Sequence, residues 1–141
     1  MSADERWAYL VQLDDDLLKG GVITSERSAF LIRNADLAFV HEAYLASLLT
    51  AVAAIESHLR GENPDGGGRL VDLIDSSELE SELKTELNVI RRFRNSWVHI
   101  DAPWDDSALL ENPEQSENEL FEMARRSLIA LRKTVYSNPY I

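Results

Sequence analysis

The chain has 141 residues, with 14 Lys and Arg against 25 Asp and Glu, no cysteine, and a formal charge of −11 at pH 7. That length suits one domain with one core, and a hydrophobic content of 45% is enough to fill it, which excludes wholesale disorder. The lack of Cys excludes a disulfide framework, a thiolate metal site and a Cys nucleophile.

Ser2 and Glu5 have capping-box spacing and open a first helix expected to run to Gly20-Gly21. Val22-Ile23-Thr24 is the one strand-like piece and is too short to build a sheet. Between Asn34 and Gly61 the sequence is rich in Ala and Leu without Gly or Pro, which predicts the longest and most buried helix, beginning near Asp36. Gly61-Glu62-Asn63-Pro64-Asp65-Gly66-Gly67-Gly68 combines a helix stop, a turn and a flexible stretch. It is not a phosphate loop, because Arg69-Leu70 stands where Lys then Ser or Thr is required and no strand precedes it. Ser77 with Glu80 repeats the capping signal before a helix expected over about Leu79 to His99, stopping ahead of Pro103. Asp106 to Glu111 suits one short turn, and Ser116 with Glu119 announces a last helix from Glu117 to Tyr136. The fold class is therefore all-α, a bundle of four or five helices.

Charge stands on the wrong face in two of these helices. At about 100° per residue, Leu79, Leu83, Leu87, Ile90, Phe93, Trp97 and Val98 share one side, and Arg94 falls near its middle. The flank carries Arg91, Asn95, Asn88, His99 and Arg92, in that order around the axis. A buried unpaired charge costs several kcal/mol, so Arg94 needs an anion from the protein or from a ligand. Glu56 lies within the apolar arc of the central helix, between Leu45 and Leu49. The economical expectation is an ion pair from Glu56 to Arg94 or Arg91, either architectural or aiming the guanidinium at a ligand.

The run Arg91-Arg92-Phe93-Arg94-Asn95-Ser96-Trp97-Val98-His99 resembles the Arg-x4–6-His signature of the HEPN superfamily, in which a polar residue, commonly Asn, follows the Arg. Ala53-Ala54-Ile55-Glu56-Ser57-His58-Leu59-Arg60 is similar to the Glu-x-x-Leu-Arg end of an early helix in many members. The resemblance implies a single helical domain over 1–141, with residues 1–24 an N-terminal helix and connector and 25–136 a HEPN-like core. It implies a homodimer whose paired Arg94, Asn95 and His99 form a metal-independent ribonuclease or RNA-binding site, with Glu56, Arg91 and Arg92 in support. No cofactor or metal is implied. Members act in toxin–antitoxin, defence and RNA-processing systems, so an antitoxin or defence protein is an expected partner. Other members have lost activity and serve as binding or assembly modules, and that non-catalytic reading is the alternative. In the subgroup paired with a nucleotidyltransferase antitoxin the motif continues His-x-Tyr, whereas this chain reads His99-Ile100-Asp101.

The chemistry fits these residue types. Metal-free RNA cleavage needs a base for the 2′-hydroxyl proton, an acid for the leaving 5′-oxygen and a cation on the phosphorane charge. Imidazole exchanges protons near neutral pH, and guanidinium forks onto phosphate oxygens without losing its proton. One His per chain is half of an acid–base pair, and a twofold axis would supply the other half.

The remaining signals are weaker. His41 and His58 stand too far apart to share a helix face as metal ligands, and Asp14-Asp15-Asp16 reads as a solvated acidic turn before a hard-metal site. Trp97 is expected to pack, while Trp104 is free to stack a base. Arg125, Arg126, Arg132 and Lys133 either form a basic groove with Arg91 and Arg92 or complement a helix C-terminus. The acidic balance argues against broad nucleic-acid binding, so any such contact needs a local basic patch. The absence of a long apolar run and the acidic start predict a cytoplasmic protein, not a membrane one.

Overall fold

In the computed structural model Ser2 and Glu5 close the capping box their spacing predicts. The Glu5 N–H donates to Ser2 Oγ at 3.1 Å, and the Ser2 N–H donates to Glu5 Oε1 at 3.3 Å. Helix α1 (Ala3–Leu17) follows and stops short of the two glycines. The structure describes residues 1–64, 68–99 and 101–137; Asp65, Gly66 and Gly67 of the glycine-rich turn and Ile100 after the motif lie outside the described residues.

The single helix expected from about Asp36 to Gly61 is two helices, α2 (Glu26–Val40) and α3 (Tyr44–Glu62). α2 starts ten residues before Asp36, capped by Ser25, whose Oγ accepts from the Ser28 N–H at 3.1 Å. The break falls at Glu42, in the left-handed region at φ 63°, with the Ala43 N–H bonded back to the Ala38 carbonyl at 2.8 Å. No Gly or Pro marks it because its cause is tertiary. The buried Arg6 donates from Nε to the Val40 carbonyl at 2.7 Å, donates to the Met1 carbonyl, and pairs with Glu42 at 3.1 Å. One α1 guanidinium thus caps the end of α2, and its ion pair helps offset a backbone strain of about 1–3 kcal/mol.

Helix α4 (Leu70–Ser76) has no counterpart among the expected elements. Ser77 belongs to its end, donating from Oγ to the Ile74 carbonyl at 2.7 Å, so it does not cap the next helix as its spacing with Glu80 suggested. α5 (Ser81–Val98) and the short α6 (Ser107–Glu111) stand where expected. α7 (Pro113–Val135) begins four residues early, because Asn112 caps Gln115 and Pro113 fits the first turn, where a missing N–H costs nothing. Ser116 and Glu119 lie inside it, and α7, not the central helix, is the longest. The described residues therefore form an all-α fold of seven helices, not four or five.

α3 is central, packed between α2 and α7, with α1 across α2 and α7 and with α5 against α7 and α4. Small side chains let α2 and α3 approach closely: Ser47 Oγ donates to the Ala35 carbonyl at 2.8 Å, and the Ser28 and Ser57 hydroxyls meet at 2.9 Å. Phe39 stacks on Phe121 at 5.7 Å and is flanked by Tyr9 and Tyr44, which joins α1, α2, α3 and α7 in one aromatic cluster. Among the described residues no helix is long and apolar enough to cross a membrane.

Arg132 ties three of these helices. Only 3% exposed, it donates from Nε to Asp14 Oδ1 at 2.9 Å and from Nη2 to Asp36 Oδ2 at 2.8 Å, while the Tyr136 hydroxyl donates to Asp14 at 2.5 Å. Asp14 is thus a structural ion-pair member, neither a metal ligand nor a fully solvated residue. Burial and the Asp14 hydrogen bond push the Tyr136 hydroxyl above its usual range. One cation serves two carboxylates, so burial outweighs Arg132 at Asp36 and raises its carboxyl above the ordinary range.

Arg132→Met should cost about 3–5 kcal/mol in urea unfolding, because it strands the buried Asp36 carboxylate and leaves the half-exposed Asp14 unpaired beside it; a loss under about 1 kcal/mol would show that the network is dispensable. A carboxyl raised in the folded state stabilises the fold below the ordinary Asp pKa, and that contribution is lost as pH climbs through the raised value. The stability of the wild type minus that of Asp36→Asn should therefore fall as pH rises from below the ordinary Asp pKa of about 4, measured by urea titration at each pH.

Candidate functional site at the end of helix α5

Leu87 and Ile90 are buried on the core side of α5, and Phe93 and Trp97 continue that contact as partly buried side chains. Arg94 lies about 20° from Leu87 around the axis, but the bundle tapers there, so Arg94 is half-buried and Val98, one turn on, is 43% exposed. His99 closes the helix, donating its backbone N–H to the Asn95 carbonyl at 2.9 Å with its side chain exposed. The last turns of the helix therefore carry a half-buried Arg94, with Asn95 and the exposed His99 about 100° and 140° around the axis from it and with Arg91 half-buried and Arg92 exposed on their side.

The expected ion pair from Glu56 to Arg94 or Arg91 is not formed. Glu56 accepts from Arg60 Nη2 at 3.2 Å on its own helix, and the same nitrogen donates to the Gly68 carbonyl at 2.8 Å. An i,i+4 partner is always within reach, whereas α5 makes its main contacts with α7 and α4. The basic groove is also absent, because the α7 arginines are neutralised. Arg125 forks onto Glu122, Arg126 forks onto Glu86 of α5, and Arg132 is buried. These bonds hold Arg125 and Arg126 more firmly protonated than usual, chiefly through their Glu122 and Glu86 hydrogen bonds.

Arg94 has a different kind of partner. Its Nε donates to Asn95 Oδ1 at 2.8 Å, as Arg91 Nε donates to Asn88 Oδ1 at 3.1 Å. An amide oxygen orients a guanidinium without cancelling its charge, and both Nη groups stay available to a planar anion. Six of the chain's eleven arginines meet a carboxylate within 4.0 Å among the described residues: Arg6, Arg60, Arg69, Arg125, Arg126 and Arg132. Arg91, Arg92 and Arg94 do not, in a chain whose acids outnumber its bases 25 to 14. Asn88 is the site residue that sequence reasoning left out of the set, although its position three residues before Arg91 was the available signal.

The surroundings limit what can bind. Trp97 is half-buried against the core and lines a groove with Tyr44, Leu45 and Leu109. Trp104 is 90% exposed in the acidic loop between α5 and α6. His58 is buried beside Glu62, with Nε2 at 2.9 Å from its carboxylate, and His41 caps α2. A cleft of about 790 Å³ lies at the other end of α5 and is lined by Asp16, Glu78, Glu80, Glu82 and Glu86 against Lys19 and Lys133, which suits no phosphate. Among the described residues no group of three or more His, Asp or Glu side chains is placed to hold a metal ion. Comparison with protein-family models, curated proteins and solved structures finds no match.

Asn95→Ala should release Arg94 without disturbing the fold. Proton exchange at Arg94 Nε, followed by nitrogen-15 NMR, should accelerate, with unfolding free energy unchanged within about 0.5 kcal/mol; unchanged exchange would remove Asn95 as the orienting group.

Proposed function

We propose that this chain is a HEPN-like domain that binds single-stranded RNA by its phosphates and cleaves it without a metal, at a site completed by a second copy. The observation that carries the reading is Arg94, held by a neutral amide and without a carboxylate partner among the described residues of a strongly acidic protein. Such a guanidinium is prepared for an anion from outside the chain, and a phosphodiester presents the planar pair of oxygens that its fork fits. Dimerisation is supported by the uncovered Val98 on the line of Arg94, an apolar position that a twofold contact would bury.

Each copy then has one proton-transfer group to offer. One His99 imidazole takes the 2′-hydroxyl proton as O2′ attacks phosphorus, and the other, protonated, delivers a proton to O5′ as the P–O5′ bond breaks. Arg94 holds the non-bridging oxygens through the step. The products are a 2′,3′-cyclic phosphate and a 5′-hydroxyl, and the proton count balances across the two imidazoles.

A second reading rests on the neutralised α7 arginines and on Asp101 and Asp105 close after His99 in the chain: the site binds an anionic partner and performs no chemistry, as a binding or assembly module beside an antitoxin or defence protein. Incubating the chain with a mixed RNA pool in EDTA separates the two. Cleavage is expected, with His99→Ala and Arg94→Ala each slowing it by about 10²–10⁴-fold and only Arg94→Ala also weakening RNA binding. Cleavage that survives either substitution would overturn the mechanism. RNA binding that needs Arg94 but yields no product would establish the binding module instead.

A further inference from the structure

Helices α1 and α2 leave a second surface without a partner. Arg6 meets the Val40 carbonyl, Tyr9 meets Phe39, and Asp14 and Asp36 share Arg132, so the two helices lie side by side and antiparallel. Beside those contacts, Trp7, Val11 and, just past the helix, Leu18 form an exposed flank of α1 that begins about 20° from Asp14 around the axis; they are 42%, 56% and 37% exposed. At about 100° per residue they fall within an arc roughly 40° wide. Asp4 and Asp15 stand on the same face toward its two ends, and neither has a Lys or Arg within 4.0 Å among the described residues.

The outward face of α2 is net positive, with the exposed Glu26 standing beside two arginines. Phe30 is 65% exposed, and Arg27 and Arg33, one turn to either side, are the two remaining arginines without a carboxylate. One neighbouring face is thus apolar with carboxylates, and the other is apolar with guanidiniums. Each is the complement of the other, and their separation within one chain prevents them from meeting except between chains.

We infer that a second copy of this chain docks on the α1–α2 surface about a twofold axis, with α1 of each copy lying on α2 of the other. That arrangement buries Trp7, Val11 and Phe30, residue types that dominate the centres of protein interfaces. It brings Asp4 and Asp15 against Arg27 and Arg33. The spacing along each helix is roughly 16 Å for the carboxylates and roughly 9 Å for the arginines, and outstretched arginine side chains span the difference. A twofold axis makes the contact close on itself, so this surface alone yields a dimer, and combined with a twofold contact at the end of α5 it yields a larger assembly. The surface is separate from the end of α5, and the inference stands whether or not that end binds RNA.

The test uses the full chain carrying Val98→Asp, which removes association through the end of α5, and reads mass by sedimentation velocity at low and moderate salt. This chain is expected to be a dimer that weakens with salt. Adding Arg27→Glu and Arg33→Glu should yield monomer, as should adding Asp4→Lys and Asp15→Lys. An equimolar mixture of those two variants should regain the dimer, because reversed α2 then faces reversed α1 while the other pair keeps its original charges. A monomer before any charge change, a dimer unaffected by either reversal, or a mixture that stays monomeric would each overturn the proposal.

Discussion

The bundle depends on one guanidinium. Arg132 is buried on α7 between Asp14 of α1 and Asp36 of α2, with Tyr136 donating to Asp14 from the next turn. Apolar packing fixes which faces meet but leaves helices free to slide and rotate. A forked cation bonded to two carboxylates on two other helices removes that freedom, because every alternative register strands a charge. Arg6 does the same at the far end of α1, where it caps α2 and sets the turn into α3. The position of α1 is therefore specified by charge at both ends, and α1 in turn fixes where α2 ends and α3 begins.

The protein spends its few cations in two ways. Most arginines are consumed by carboxylates, and those on α7 that look like a nucleic-acid groove are ion-paired or buried. Arg91 and Arg94 are held instead by asparagine oxygens, which give direction without neutralisation. That contrast makes the end of α5 the place to seek anion chemistry. Net charge alone would have dismissed the molecule, since a surplus of acid repels a polyanion at range. A short-range site remains compatible with that surplus, at a patch where cations have no carboxylate partner among the described residues.

Local chemistry was legible in the sequence wherever it decided the outcome. The Ser2–Glu5 capping box, the end of α5 before Pro103 and the turn at 106–111 all depend on neighbours a few residues away, and the structure has each of them. The break at Glu42 was not legible, because a left-handed Glu is held by Arg6, thirty-six positions earlier in the chain. Ser77 and Ser116 carry true capping signals that lost to Ile74 and Asn112. An apolar face bearing Arg94 correctly announced an unusual charge, yet the partner guessed for it was a carboxylate across the bundle. The actual partner is the next residue, an interaction that face periodicity ignores because adjacent residues point about 100° apart.

The direction of α5 constrains how an anion can sit at its end. Glu82 and Glu86 occupy its first half and Arg91, Arg92 and Arg94 its last, the sense that complements the helix dipole. Dipole complementation alone would explain cations near a C-terminus, but it asks nothing of their orientation, and two of these three are oriented by side-chain amides. The carbonyls of the last turn point along the axis beyond His99, so a phosphate approaching end-on meets partial negative charge. An anion bound here must lie against the flank, where the Nη atoms of Arg94 have no hydrogen-bond partner among the described residues. A flank-bound strand would run beside the helix end and past the exposed Val98, the same surface a second copy would have to share. On the proposed reading, phosphate recognition and dimer contact would be two demands on one short stretch of helix, the stretch where Arg94 occupies the line that Leu87 begins and Val98 continues.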